Sequence, residues 1–487
     1  MISQWSRRGF LKACGAAAVL PFAGSAARRA VRRKPNILFV LVDDMGWTDA
    51  GCCGSRYFDT PNIDRLARQG MRFTDAYAAC AVCSPTRAAV MTGRYPARLG
   101  ITDWIHSRFQ GGTIPASKEN STGYDFEGRP DIPLLTPTNA LWMEHEEITL
   151  AEALKPAGYV SCHVGKWHLG PDDWYPDRQG FDYNIGGCDF GQPPSYYDPY
   201  YRRGQGSIPT LPPRKEGEYL TDREADEAAA FIRDHADRPF FLYLAHYAVH
   251  TPLQARQDLF DKYKTKPTTH QKNPIYGAMV ESVDQALGKV LDVLDDLRLS
   301  ENTLVIFTSD NGGLLGPTSN IPLRAGKGYP YEGGIREPLI VRWPGVVEPG
   351  STCSVPVCSV DFFPTICQAT GAPLPDRPID GESILPLLTQ SGPLRREALF
   401  WHFPHYRGRD VVPYSIIRQG RWKLIKYYQG RPVELFDLEH DLSERQDLSG
   451  EHPELVEELD DRLRAWLGEV GARMPRPNPL YTAPASG

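Results

Sequence analysis

Four apolar runs organise the chain. Residues 36–42 read NILFVLV, residues 159–164 YVSCHV, residues 239–245 PFFLYLA and residues 303–309 TLVIFTS. Runs of this length, bounded by polar turns, mark strands buried on both faces. The stretches between them carry helical spacing. TLAEALKPAG precedes the second run, and TDREADEAAAFIRDH (221–235) precedes the third. Val280, Val283, Leu287, Val290, Leu291 and Leu294 recur every three or four residues ahead of the fourth. Strands alternating with helices predict an α/β fold, with a large mainly parallel central sheet sandwiched by helices.

The strands run out into polar residues. The first stops at Asp43-Asp44, and the last at Asp310-Asn311 with two glycines after it. YVSCHV continues into Gly165-Lys166-Trp167-His168, and PFFLYLA leads toward His250-Thr251-Pro252. In open α/β sheets functional groups collect at the carboxyl ends of strands. Buried carboxylates need a cation or a shell of hydrogen bonds. Asp43, Asp44, Asp310 and Asn311 form an all-oxygen set that suits a hard divalent ion. The alternative at this point is that the aspartates cap a helix and that SDNGG is a turn.

The catalytic domain is expected over residues 35–390, ending at DGESILPLL (380–388). Residues 391–487 are expected to form a smaller C-terminal α+β domain. There PYSIIRQGRWKLIKYYQGRPVELFDLE reads as an antiparallel sheet with turns at Gly420 and Gly430. PELVEELDDRLRAWLGEV (453–470) reads as an amphipathic terminal helix packed on it. Residues 102–147 and 182–218 are long polar loops at the strand-end rim, the second containing PPSYYDPYYRRG. Such loops are where substrate choice is made, and their tyrosines suit sugar or aryl rings.

Composition narrows the partners. The 487 residues are 41% hydrophobic and 23% charged, and the net charge of -6 argues against nucleic acid. SRRGFLK sets Arg7 and Arg8 before an apolar run from Ala13 to Phe22, and AGSAA follows. Residues 1–30 therefore read as a twin-arginine signal peptide, which needs twin-arginine export machinery and sends the bacterial protein to the periplasm or beyond. No later stretch is long and apolar enough to span a membrane. The 10 cysteines meet an export route that permits disulfides, but sequence does not pair them.

One cysteine stands apart. In CSPTRAAVMTGR, Cys83, Pro85, Thr86, Arg87, Gly93 and Arg94 match a long signature, Cys-x-Pro-Ser/Thr-Arg followed by Thr-Gly-Arg. DDMGWTDAGCCG, GKWHLG, TSDNGG, LRAGKGYPYEGGIREP (323–338) and ELFDLEHDLSERQDL (434–448) agree with it in order. On these motifs the chain resembles the type I, formylglycine-dependent sulfatases of the alkaline-phosphatase-like superfamily, from about residue 35 to about residue 470.

The resemblance implies that a formylglycine-generating enzyme oxidises Cys83 to an aldehyde. A hydrated aldehyde has two geminal hydroxyls. One attacks sulfur, and loss of the other's proton expels sulfate and restores the aldehyde. By the same resemblance Asp43, Asp44, Asp310, Asn311 and the modified Cys83 hold one metal ion, Ca²⁺ in preference to Mg²⁺. Arg87 steadies the nucleophile. Lys166 and His168 contact the hydrate. His250 and Lys327 bind sulfate, and one of them protonates the leaving oxygen. His250 is preferred to His246, while His163, His402 and His405 receive no role. A Cys80–Cys83 disulfide would compete with aldehyde formation and is expected to be absent. The implied activity is a sulfuric-ester hydrolase acting on a sulfated carbohydrate or an aryl sulfate. The alternatives are a phosphate or phosphonate monoester hydrolase on the same scaffold, and an unmodified, inactive relative that binds sulfated glycans.

Overall fold

The computed structural model describes residues 34–107, 119–408 and 410–483, and residues 34–487 form one compact unit. The segment read from the sequence as a twin-arginine signal peptide, residues 1–30, lies outside the described residues.

The strands of the main sheet are β1 (Asn36–Val42), β2 (Met71–Phe73), β3 (Val160–Gly165), β4 (Tyr183–Ile185), β5 (Phe240–Ala245), β6 (Thr303–Ser309), β7 (Leu339–Arg342) and β8 (Ser351–Cys353). They lie in the order β8-β2-β7-β6-β1-β5-β3-β4. β1 is central, and every residue of it is buried. It pairs in parallel with β5 and β6, with Ile37 opposite both Phe241 and Leu304. β7 runs antiparallel to β6 and β2, so the sheet is parallel at its centre and mixed toward one edge.

Alternation along β1 feeds two cores. Leu38, Val40 and Val42 join one, with Ala225 and Ala228 of α3 (Leu220–Asp234) and Val280 and Val283 of α4 (Pro274–Asp296). Ile37, Phe39 and Leu41 join the other, with Ala88 and Val90 of α2 (Cys83–Thr92) and with Phe362 and Phe363. A sheet covered on both faces needs this double supply of apolar side chains. α1 (Pro61–Gln69) lies in chain order before β2, and Ile63 and Leu66 belong to the first core. Asn273 caps α4 by accepting from the backbone N–H groups of Ile275 and Tyr276, with Pro274 at the first helical position.

A second, antiparallel sheet follows in the C-terminal region. It contains β9 (Ala398–Phe403), β10 (Tyr414–Gln419), β11 (Trp422–Tyr427) and β12 (Glu434–Asp437) in sequence order. The terminal helix α5 (Pro453–Glu469) buries Leu459, Leu463, Trp466 and Leu467 against it, and Trp466 stacks on Phe400 at 4.9 Å. β9 extends the expected sheet by a strand. Its sequence, ALFWHF, has no turn signal of the kind that betrayed the other strands. The same apolar cluster takes in Tyr77, Ala79, Cys80 and Val82, the residues leading to Cys83. Among the described residues no helix is long and apolar enough to cross a membrane.

Candidate active site

Cys83 opens α2, and Arg87 follows one helical turn later, so both side chains lie on one face. Gly165 closes β3 with φ +97°, which turns the chain so that Lys166 and His168 point to the same place. Asp44 and His168 themselves hold positive φ, at 61° and 62°. Asp43, Asp44, Cys83, Arg87, Lys166, His168, His250, Asp310, Asn311 and Lys327 converge at this end of the sheet, and each is buried or nearly so.

Charge pairing there is dense. Arg87 Nε donates to Asp310 Oδ2 at 2.9 Å, and its NH1 group donates to the Lys166 carbonyl at 2.8 Å. Lys166 Nζ pairs with Asp43 Oδ2 at 2.6 Å. Lys327 Nζ reaches Asp44 Oδ1 at 2.5 Å and Cys83 Sγ at 3.3 Å. Asn311 Nδ2 donates to Asp44 Oδ1 at 2.8 Å, and His250 Nε2 stands 3.7 Å from Asp44 Oδ2.

Three oxygens are left over. Asp43 Oδ1, Asp44 Oδ2 and Asn311 Oδ1 are buried without a hydrogen-bond partner. Burial, with Asp310 beside it, pushes the Asp43 carboxyl up to about 8. Burial acts the same way on Asp44, but Lys327, His250 and Lys166 overcome it and hold that carboxyl below its usual range. One oxygen each from Asp43 and Asp44, Cys83 Sγ and a nitrogen of His250 lie within 4.8 Å of one another. Unpartnered buried oxygens of this kind are what a hard cation would satisfy.

The histidines are fixed by backbone carbonyls. His168 donates from Nε2 to the Ile105 carbonyl at 2.7 Å, which leaves Nδ1 as a lone pair without a partner. His250 donates from Nδ1 to the Thr251 carbonyl at 2.8 Å, which leaves Nε2 facing Asp44. His246 instead pairs with Glu224 at 2.6 Å, and His163 is enclosed by the rings of Trp167, Phe181 and Tyr243. His402 bonds Ser415 Oγ at 2.7 Å. Cys80 is a free buried thiol, as is Cys83, whose thiol burial pushes up to about 11.

Neighbouring residues that the sequence reading left unassigned complete the site. Asp49 braces the loop after β1, accepting from the Gly46 N–H at 2.8 Å and the Tyr276 hydroxyl at 2.6 Å. The loop bearing Lys327 is tied to the C-terminal sheet. Glu332 accepts from Lys423 at 2.9 Å, Arg336 at 2.6 Å and the Tyr77 hydroxyl at 2.8 Å. Glu444 accepts from the same Lys423 at 2.7 Å and from the Glu332 N–H at 2.7 Å. The cavity above Cys83 is about 490 Å³, and Trp104, Gly191, Gln192 and Arg407 line it beside His168, His250 and Lys327. Gly191 and Gln192 fall in the 182–218 loop, whose rim position was the one available signal. Arg407 comes from the β9–β10 connection and had none.

Comparison with known proteins decides what this constellation belongs to. Residues 35–372 match the family model described as Sulfatase. The chain belongs to the sulfatase family. Residues 326–469 also match the model described as N-sulphoglucosamine sulphohydrolase, C-terminal. A sulfatase of Formosa agariphila is 33% identical, covering 91% of this chain and 91% of its own. The N-acetylgalactosamine-6-sulfatase of Canis lupus familiaris is 38% identical, covering 83% of this chain and 74% of its own. The solved structure of Ps i-CgsB in complex with k-i-k-neocarrahexaose is 31% identical with a TM-score of 0.75, covering 89% of this chain and 93% of its own.

For this sulfatase the fit of His168 yields a direct prediction. A Cβ on Gly191 would come within 2.6 Å of His168 Cε1 and 2.7 Å of Nε2. Gly191→Ala is expected to push the ring off the Ile105 carbonyl and lower kcat on 4-nitrophenyl sulfate by roughly ten- to hundredfold. Unfolding temperature should change little. Parental kcat in this variant would show that the position of the ring does not limit turnover.

Proposed function

We propose that this sulfatase works through a formylglycine formed from Cys83 and one hard divalent cation, Ca²⁺ in preference to Mg²⁺, and that its substrate is a sulfated carbohydrate. The observation that carries the reading is the approach of Cys83 Sγ, two carboxylate oxygens and a His250 nitrogen to within 4.8 Å of one another. The three unpartnered oxygens of Asp43, Asp44 and Asn311 fit such a cation, because all are hard donors and each is buried at a cost without one. The cation would be held by Asp43, Asp44, Asp310, Asn311 and the modified Cys83, and when bound it makes a neighbouring hydroxyl more acidic. The aldehyde hydrate supplies two hydroxyls on one carbon, one to attack sulfur and one to give up its proton as sulfate departs.

The remaining groups do the positioning and the proton transfer. Lys327, 3.3 Å from Cys83 Sγ, brings positive charge to the oxygens of the transferring sulfuryl group. The first residue of α2 adds the positive end of a helix dipole at the same point. Lys166 holds Asp43, and Arg87 holds Asp310 and the turn carrying Lys166. His168, with Nδ1 unprotonated, accepts the proton of the second hydroxyl. His250 and Lys327 face the leaving oxygen, and one of them returns a proton to it.

A sugar substrate is supported by two relatives, one named for N-acetylgalactosamine 6-sulfate and one solved with a neocarrahexaose. Export is supported by Arg7-Arg8 and the apolar run after them, and it places the enzyme in the periplasm or outside the cell.

Peptide mass spectrometry across Cys83 tests the reading, on protein co-produced with a formylglycine-generating enzyme. The expected result is loss of the thiol mass together with sulfate release from sugar or aryl sulfates. An intact thiol and no sulfate release would refute it. Chelation should also lower the unfolding temperature, and Ca²⁺ should restore it by mass action. An unfolding temperature indifferent to chelator and Ca²⁺ would remove the cation from the site.

A further inference from the structure

The reactive cavity has a neighbour. A second cavity of about 480 Å³ adjoins it, and Trp104, Arg407 and Gly408 line both. Beyond that shared wall the second cavity is lined by Asp103, Asp125, Phe126, Asn139, His405 and Tyr406, among others. None of them lies in the motifs that carry the chemistry.

The walls are built, and they combine ring faces with oxygen acceptors. Trp104 is half-buried, and its ring lies 4.1 Å from that of His106. Phe126 and Tyr406 meet edge to face at 5.7 Å. Asn139 brackets Asp103, accepting from its N–H at 3.0 Å and donating to its carbonyl at 2.9 Å. Tyr406 accepts from the Leu134 N–H at 3.2 Å and donates to Gln429. His405 is fixed by Thr102 Oγ1 at 2.7 Å.

Charge is distributed unevenly along this wall. Asp103 and Asp125 bring two carboxylates, and Arg407 brings one guanidinium. The Arg407 guanidinium lies against Gly328, the residue after Lys327, and acts on Asp103 as well, so one cation is shared between the two cavities. Burial lowers the pKa of both His405 and His106, His405 to about 3, which keeps His405 uncharged. The far end therefore offers acceptors and apolar faces, and no surplus positive charge for an acid.

We propose that the second cavity is a sugar subsite, filled by an uncharged pyranose joined to the sulfated residue in the reactive cavity. This rests on the carbohydrate-sulfatase reading above. A pyranose has C–H faces that pack on Trp104 and Phe126, and hydroxyls that donate to Asp103 and Asp125. A uronate or a second sulfate there would meet those two acids, and the cations beside them, Arg407 and Arg473, already act on Asp103 and Asp125. The enzyme thus selects its substrate by the neighbour of the sulfated sugar as well as by the sulfated sugar itself.

The test uses the full, matured enzyme and kcat/KM for sulfate release. The best-cleaved monosaccharide is chosen from galactose, N-acetylgalactosamine and glucosamine sulfates. It is then compared with disaccharides joining it to a neutral hexose or to a hexuronate. The neutral disaccharide is expected to exceed the monosaccharide by roughly tenfold, and the uronate disaccharide to gain nothing. Phe126→Ala should reduce the neutral advantage toward one, and Asp125→Asn should narrow the gap between neutral and uronate disaccharides. Each comparison is a ratio within one protein, so partial misfolding cancels. Equal efficiency on all three substrates, or a neutral advantage unchanged in Phe126→Ala, overturns the subsite and leaves the sulfatase reading standing. Cleavage of 4-nitrophenyl sulfate with no cleavage of any sugar sulfate overturns the carbohydrate reading and the subsite with it.

Discussion

Cys83→Ala is expected to reduce sulfate release by at least about four orders of magnitude while leaving the unfolding temperature close to that of the parent. The two effects separate because of what surrounds the side chain. Cys83 is 3% exposed, and the hydrogen bond to its sulfur comes from Lys327 at 3.3 Å. Removing one sulfur atom leaves Lys327 paired with Asp44 at 2.5 Å, so no buried charge is stranded. Chemistry loses its nucleophile, and the fold loses a few contacts. Sulfate assay and thermal melting on the same preparation check both halves. Turnover retained by the alanine variant would exclude Cys83 as the origin of the nucleophile.

Arg87→Met should behave differently, losing activity and stability together. The guanidinium is 1% exposed and spans Asp310 and the Lys166 carbonyl. Methionine fills much of the volume but pairs with neither. The Asp310 Oδ2 atom is then buried without its donors, at a cost of about 3–5 kcal/mol by analogy with other broken buried pairs. The same change frees the turn that carries Lys166 and His168, and a thousandfold fall in kcat, on the order of other misplaced catalytic shells, is expected. Arg87→Lys keeps the charge but offers a point donor in place of a fork, so it should fall between. Denaturant melts with parallel kinetics test this. Parental stability in the methionine variant would mean that Asp310 finds another partner.

The contrast between these variants follows from how the site is encoded. Asp43, Asp44, Asp310 and Asn311 were readable because each pair sits directly after a seven-residue apolar run, β1 or β6. Strand ends announce themselves, and parallel pairing then brings them together without further instruction. The motif around Cys83 was readable only through its resemblance to a known signature, and its helix, with Cys83 and Arg87 one turn apart, emerges from the structure. Trp104, Asp125 and Phe126 were readable only as members of the 102–147 rim loop, and Arg407 was not readable. They lie on loops or, for Asp125, on the two-residue strand Tyr124–Asp125, too short for any periodicity to mark a direction, and their meeting depends on long-range packing between the rim and the C-terminal sheet. β9 was missed for a related reason, since its cross-strand partners supply the evidence for it and ALFWHF alone does not. The histidines show the limit from the other side. His246 and His250 are four apart, yet one is hydrogen-bonded to Glu224 in the interior and the other opens onto the cavity.

The buried tie between Glu332, Lys423 and Glu444 bears on how such enzymes can be recombined. A crossover near residue 390 looks harmless on the sequence, since it falls in a linker ahead of the second sheet. It would nevertheless part an acid at position 332 from its amine at position 423, both 0% exposed. A chimera taking its front from one sulfatase and its back from another would inherit half of a charge pair in a place water cannot reach. Such hybrids should mature poorly unless the three positions are transplanted as a set. The smallest exchangeable part of this enzyme is therefore larger than either of its sheets.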